Sequence, residues 1–236
     1  VISPDLTLNL KSHQQNSGGI AIDNLMTFDG SVLFAINESP LKQGLIWVGS
    51  NDGQVHLTRN GGRTWINVSG NINMPPWGTI SNIEASRFDP KTAYISVDFH
   101  QMGDFDPYIY KTTDYGKSWK KISGNIPKSY SSFVHVVKED PKQESVLYAG
   151  TDNSVYVSVD GGDYWTKINS NLPPAPVYWI TIQEHFDDMV IGTYGRGFYI
   201  LDDISPFREM ANSNQNEVNF MPIQDAYRFQ QIQSMK

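Results

Sequence analysis

Thr112-Thr113-Asp114-Tyr115-Gly116-Lys117-Ser118-Trp119 is the stretch on which the fold turns. Two other segments share its plan: Thr58-Arg59-Asn60-Gly61-Gly62-Arg63-Thr64-Trp65 and Ser158-Val159-Asp160-Gly161-Gly162-Asp163-Tyr164-Trp165. A hydroxyl residue opens each box, an Asp or Asn stands third, a Gly fifth and a Trp last. The boxes recur at about fifty residues, in the range of repeat architectures. A second phrase follows each one: Val68-Ser69-Gly70-Asn71-Ile72, Ile122-Ser123-Gly124-Asn125-Ile126-Pro127 and Ile168-Asn169-Ser170-Asn171-Leu172-Pro173.

Upstream of each box the register continues. An alternating apolar run ends in a turn (Val32 to Pro40, Ile83 to Pro90, Phe133 to Pro141). A second run follows (Leu45 to Ser50, Ala93 to Val97, Val146 to Thr151), and a third leads into the box (Val55 to Thr58, Tyr108 to Lys111, Val155 to Ser158). Period-2 runs bounded by turn residues predict four short antiparallel strands per unit. A fourth unit has three matching runs, Tyr178 to Gln183, Met189 to Thr193 and Phe198 to Leu201, and no box before Ser205-Pro206 interrupts it.

Four-stranded units at this period predict an all-β propeller of antiparallel blades, each burying its faces against its neighbours. About four blades are legible. A ring of six to eight would need roughly 250–400 residues at this period, so the 236-residue chain is expected to be an arc of a larger propeller. Val1 to Leu6 reads like the phrase after a box Trp, which assigns it to a preceding unit. The alternative is a small ring closed by pairing that N-terminal strand with the fourth blade. The expected segments are 1–30 (end of a preceding blade and linker), 31–74, 75–128 and 129–175 (blades), 176–207 (incomplete blade) and 208–236 (linker and extension).

Composition narrows the function. The net charge is −7, against a phosphate-binding face and hence against a nucleic-acid partner. The absence of cysteine removes disulfides, thiolate metal sites and cysteine nucleophiles. No apolar run approaches a membrane span, and the five histidines are too scattered for metal-ligand spacing. Neither metal nor cofactor is expected.

The pattern Ser/Thr-X-Asp-X-Gly-X-Ser/Thr/Tyr-Trp resembles the Asp-box, or BNR repeat, of sialidases, xyloglucanase-like glycoside hydrolases and sortilin/VPS10 propellers. Three phrases are similar to those of large secreted bacterial proteins with VPS10-like propellers: Ser39 to Gly49, Pro107 to Trp119, and Gly192-Thr193-Tyr194-Gly195-Arg196-Gly197-Phe198-Tyr199-Ile200-Leu201-Asp202-Asp203. The resemblance implies a secreted, periplasmic or cell-surface interaction module that binds a protein, peptide or glycan. Part of a xyloglucanase-like hydrolase and a scaffold subunit of a larger assembly are the alternatives. In the boxes themselves, Asn60, Asp114 and Asp160 are expected to tie down hairpins, Gly62, Gly116 and Gly162 to adopt positive φ, and Trp65, Trp119 and Trp165 to pack between blades.

Two loops carry the candidate chemistry. Asp98 to Pro107 is the one long hairpin connection, and long connections in compact folds often carry function. There His100, with Asp104 and Asp106, can orient a ligand or be held by a loop carboxylate. Gln101 stands where the resemblance leads one to expect a basic residue. Tyr194 and Arg196 occupy the matching hairpin of the fourth unit, where Arg196 can receive an anion or peptide terminus, or pair with Asp202 or Asp203. Asp52 and Asp152 read as plain turns. A glycosidase would need two facing carboxylates, for which Asp98, Asp104, Glu184 and Asp187 are the possible members.

Overall fold

A computed structural model describes residues 3–8, 32–168 and 171–213. Its strands form four antiparallel sheets. The first holds β1 (Leu33–Glu38), β2 (Ile46–Ser50), β3 (Val55–Thr58) and β4 (Ile66–Asn67), in chain order. The second holds β5 (Thr79–Ala85), β6 (Ala93–Asp98), β7 (Tyr108–Thr112) and β8 (Lys120–Lys121). The third holds β9 (Val134–Glu139), β10 (Leu147–Thr151), β11 (Val155–Ser158) and β12 (Thr166–Lys167). The last has three strands, β13 (Val177–Gln183), β14 (Asp188–Thr193) and β15 (Phe198–Leu201), followed by helix α1 (Ser205–Asn212).

The first strands of consecutive sheets touch, β1 with β5, β5 with β9 and β9 with β13. They therefore line the propeller axis, and the two-residue fourth strands lie at the circumference. Three apolar clusters fill the spaces between sheets. Trp47, Leu57, Ile80, Ile83 and Ile95 join the first two blades. Tyr94, Ile109, Val134, Val137 and Trp165 join the next pair, and Val136, Tyr148, Val177, Ile180 and Met189 the last. Alternation explains the sorting: along β6, Ala93, Ile95 and Val97 turn one way while Tyr94 turns the other.

The boxes are hairpin locks. Asp114 Oδ1 accepts from Thr112 Oγ1 and from Ser118 N at 2.9 Å, while Gly116 N donates to Thr112 Oγ1 at 2.9 Å. Asp160 repeats this on Ser158 Oγ and Tyr164 N, and Asn60 on Thr58 Oγ1 and Thr64 N. Two successive residues in each box have positive φ: Gly61 and Gly62, Tyr115 and Gly116, Gly161 and Gly162. The second glycine has another role. A Cβ on Gly162 would lie 2.6 Å from Ile122 of the blade before, and one on Gly116 3.0 Å from Val68.

The second phrase clamps the next blade. Asn125 Nδ2 donates to Trp165 O and Trp165 N donates to Asn125 Oδ1, both at 2.8 Å, while Trp165 Nε1 donates to Ile122 O at 2.6 Å. One blade earlier, Asn71 Nδ2 donates to Gly116 O at 2.8 Å. Trp119 packs edge-on against Trp47, with centroids 6.0 Å apart; Trp119 and Trp65 are half-buried, whereas Trp165 is buried.

The arc is open, as expected, and the alternative small ring does not form. Within residues 3–8, Leu8 N donates to Asp52 Oδ2 on the first blade at 2.9 Å, and among the described residues β15 is the edge of the fourth sheet. The boundary expected after 207 falls inside α1, whose Arg208 is tied to the buried Asp140 carboxylate at 2.8 Å and to Asp187 at 2.8 Å. Most of segment 1–30, residues 169–170 of the third phrase and 214–236 of the expected extension lie outside the described residues.

Candidate functional site

Every first strand carries a β-bulge at the same place. Pairing skips from Leu33 to Ala35, from Ile80 to Asn82, from Val134 to Val136 and from Val177 to Trp179. A bulge leaves one residue unpaired and re-aims its side chain. The four extra residues, Phe34, Ser81, His135 and Tyr178, all line one axial groove of about 840 Å³. All four blades thus contribute to the same cavity.

Around them the groove has aromatic and polar walls. Trp77, Tyr178 and Trp179 present exposed rings. Trp77 has φ 67°, in the left-handed region where a bulky residue is a conformational outlier, and such strain concentrates at functional positions. Gly53, at φ 86°, fits beneath it: a Cβ there would be 3.6 Å from Trp77 N and 3.4 Å from Gly78 O. Trp179 also takes the Lys138 ammonium over its face at 4.6 Å.

The long hairpin closes the groove with a 3-10 turn, His100–Met102. Asp98, at the end of β6, accepts from His100 N at 2.8 Å and lies 2.7 Å from His100 Nδ1. Asp98 is nearly buried, whereas the imidazole is partly exposed. A second pair sits one blade on, where His135 Nε2 is 3.1 Å from Asp152 Oδ1. The rings form a ladder across blades. His100 stacks on Phe133 with centroids 4.8 Å apart, Phe133 meets His135 edge-on at 5.1 Å, His135 stacks on Tyr178 at 4.1 Å, and Tyr178 reaches Tyr194 at 5.8 Å.

These placements revise the pairings expected from sequence. The partner of His100 is Asp98, not Asp104 or Asp106. Asp104 accepts from Tyr108 Oη at 2.6 Å and from Asp106 N at 2.9 Å, and Asp106 pairs with Lys128. Burial first, then the Asp104 bond, pushes the Tyr108 phenol well above its usual range. Tyr194 joins the ladder. Arg196 is exposed and has no pair with Asp202 or Asp203, nor any other hydrogen-bond or ionic partner among the described residues. Asp52 and Asp152 are more than turn residues: Asp52 accepts from Ser50 Oγ and Leu8 N, and Asp152 holds His135.

The remaining acid candidates are occupied elsewhere. Glu184 pairs with Arg87 at 2.7 Å. Burial works against the Asp187 carboxylate, but Lys142 and Arg208 outweigh it and hold its pKa low. Among the described residues lining the groove, Asp98 is the one carboxylate. Between the second and third blades, Glu139 accepts from Ser86 Oγ, Tyr94 Oη and Arg87 N, and its pKa is raised chiefly by burial. Among the described residues no group of three His, Asp or Glu is placed to hold a metal ion.

Sequence reasoning missed Phe34, Trp77, His135, Asp152, Tyr178 and Trp179. The signal was available in the first strands. Aligned on their bulges, Leu33-Phe34-Ala35, Ile80-Ser81-Asn82, Val134-His135-Val136 and Val177-Tyr178-Trp179 each insert a residue between two paired positions of the strand.

Comparison with known proteins places this geometry in context. A family model described as Sortilin-Vps10 (sortilin, neurotensin receptor 3) matches residues 53–195. No curated protein matches the chain. Among solved structures, YCF48 bound to a D1 peptide is similar at TM-score 0.52 and 16% identity, over 72% of this chain and 51% of that one. A GH74 enzyme from Niastella koreensis is similar at 0.57 and 13%, over 73% and 29%. The extracellular domain of the putative one component system BT4673 from B. thetaiotaomicron is similar at 0.55 and 14%, over 74% and 21%. At these identities the likeness shows the propeller fold alone. The chain spans about half of the first of these proteins and less than a third of the others. Among the described residues no helix is long and apolar enough to cross a membrane.

Proposed function

The chain belongs to the Sortilin-Vps10 family, and on that premise we propose that it is a binding module taking a protein, peptide or glycan at the axial groove. The observation that carries this reading is the shared bulge, which turns one residue of every blade into a groove of about 840 Å³. Ligand sites are concave, largely apolar and marked by a few fixed polar groups. Here the fixed groups are Asp98 and His100, and the apolar faces are Trp77, Tyr178 and Trp179. Arg196, exposed on the β14–β15 hairpin beside Tyr194, adds a guanidinium able to receive a carboxylate. The module is the exported part of a longer propeller, in keeping with the extracellular setting printed for one structural neighbour.

A glycoside hydrolase is the second reading, favoured by the aromatic faces. It needs a carboxylate opposite Asp98, and the described groove residues include none, so the non-catalytic reading stands ahead of it. The test is binding of the full chain to peptide and oligosaccharide arrays, alongside Trp77→Ala and Asp98→Asn. Both variants are expected to weaken the hits at least about tenfold with an unchanged melting temperature. Hits retained at full strength by both would overturn the assignment.

A further inference from the structure

The axial groove carries charge of one sign. Among the described residues lining it, Asp98 is the one carboxylate, and there is neither lysine nor arginine. A second carboxylate, Asp152, stands behind the wall, 3.1 Å from Nε2 of His135. Both fields reach Tyr178: burial first, then Asp152 and Asp98, pushes its phenol above the ordinary range. Lys138, whose ammonium lies over Trp179, is outside the lining and already matched, with Nζ 2.7 Å from Glu84 Oε2 on a separate small cavity. Arg196 is likewise outside the lining.

The uncharged walls suit a cation. Trp77 and Tyr178 are 36% and 51% exposed. Tyr178 gives one face to His135, at 4.1 Å, and keeps the other. An ammonium within about 6 Å of such a face is held by the ring quadrupole. The fold makes this contact once already, with Lys138 Nζ 4.6 Å from the Trp179 centroid. His100 supplies direction. Its Nδ1 lies 2.7 Å from Asp98 Oδ2, and its backbone N donates to Oδ1. A neutral imidazole so paired carries its proton on Nδ1, which makes Nε2 an acceptor. Among the described residues no group donates to that nitrogen. An acceptor backed by a carboxylate receives an N–H and turns an anion away.

We infer that the group held in the groove is a primary alkylammonium, which donates to His100 Nε2 under the field of Asp98 while Trp77 and Tyr178 offer it ring faces. The inference rests on the groove being the ligand site and names the chemistry it takes. Such a group belongs to the lysine side chain of a peptide or to a free polyamine. A neutral sugar can use the rings and His100 but gains nothing from the two carboxylates, and an anion faces them directly. Arg196, beyond the lining, remains available for a carboxylate elsewhere on the same ligand.

The experiment is calorimetric titration of the full chain with three probes: Nα-acetyl-lysine methylamide, its norleucine counterpart, which keeps the stem and lacks the ammonium, and putrescine. The lysine compound is expected to bind at least about tenfold more tightly than the norleucine compound. Its affinity falls severalfold as salt rises from about 50 to about 500 mM. Asp98→Asn is expected to weaken it at least about fivefold with an unchanged melting temperature. The contrast between lysine and norleucine is read on the wild-type chain, so it holds even if a variant folds poorly. Tighter binding of the lysine compound than of putrescine identifies a peptide side chain as the source, and the reverse order a free polyamine; either supports the inference. Equal binding of lysine and norleucine compounds, both lost in Trp77→Ala, overturns the cation and leaves the groove as the ligand site. Amine binding unchanged in both Trp77→Ala and Asp98→Asn overturns the groove as well. No binding of either amine up to about 20 mM also overturns the inference, while the array hits judge the groove separately.

Discussion

Asn125→Ala tests the claim that the phrase following each box is an inter-blade clamp. Asn125 makes two bonds to the Trp165 backbone, both at 2.8 Å. The substitution removes both and leaves the N–H and carbonyl of Trp165 unpaired in a half-buried place. Two bonds at a net of about 1 kcal/mol each, plus part of the desolvation penalty, give about 2–3 kcal/mol. Asn71 makes one such bond, to Gly116 O, from an exposed position. Asn71→Ala is therefore expected to cost about 0.5–1 kcal/mol. Urea unfolding followed by tryptophan fluorescence reads the difference. With a slope near 3 kcal/mol/M, Asn125→Ala lowers the midpoint by about 1 M and Asn71→Ala by about a third of that. The two residues clamp different interfaces, so the double variant should be additive within about 0.5 kcal/mol. Equal costs for the two single variants, or a loss below about 0.5 kcal/mol for Asn125→Ala, would refute the clamp.

Three further outcomes follow from the same geometry. Gly162→Ala meets both a positive φ and the Ile122 side chain, so it is expected to cost about 2–4 kcal/mol, whereas Gly124→Ala, in open space, changes the melt little. Arg208→Ala removes the ionic partner of the buried Asp140 carboxylate, which keeps its bonds from Tyr148 Oη and the Lys142 and Gln143 amides; it is expected to cost about 3 kcal/mol and to release α1, read by thermal melts and hydrogen exchange. Asp114→Ala is expected to cost about 1–2 kcal/mol at neutral pH with ligand binding intact. The hydrogen bond from Ser118 Oγ leads the effects that hold the Asp114 carboxyl below its ordinary range, so its stabilisation is present above the unfolded pKa and is lost as pH falls through the folded value. The gap to wild type is accordingly constant above about pH 5 and narrows below about pH 4, as melts across that range would record.

How much of this was legible in the sequence depends on whether a residue's role is local. The box hairpins were legible because their bonds join residues two to four apart, as between Thr112, Asp114, Gly116 and Ser118. Strand positions followed from period-2 alternation. The groove was hidden because its residues come from four repeats and converge only when the blades stack. A bulge adds one residue without breaking the apolar alternation on either side, so His135 and Tyr178 read as ordinary strand positions. His100 drew notice through its long loop, and the structure places it on the groove. Its partner was not legible, because Asp98 ends the preceding strand while Asp104 and Asp106 are turned away to Tyr108 and Lys128. The alternative of a small ring closed by the N-terminal strand is not what forms, for a related reason. The N-terminal phrase matches the repeat, and a phrase of this kind clamps the blade that follows it, so the segment docks beside Asp52 of the first blade rather than on the fourth.

The account rests most heavily on the axial groove as the place where a ligand is held. Hydrogen–deuterium exchange of the full chain, with and without the strongest array ligand at saturation, tests that directly. Protection is expected in peptides covering 32–36, 77–81, 98–102, 133–135 and 177–179, where the four bulges and the Asp98–His100 pair meet. Protection confined to the circumferential boxes at 58–65, 112–119 and 158–165, with the groove peptides exchanging as in the free protein, would contradict it.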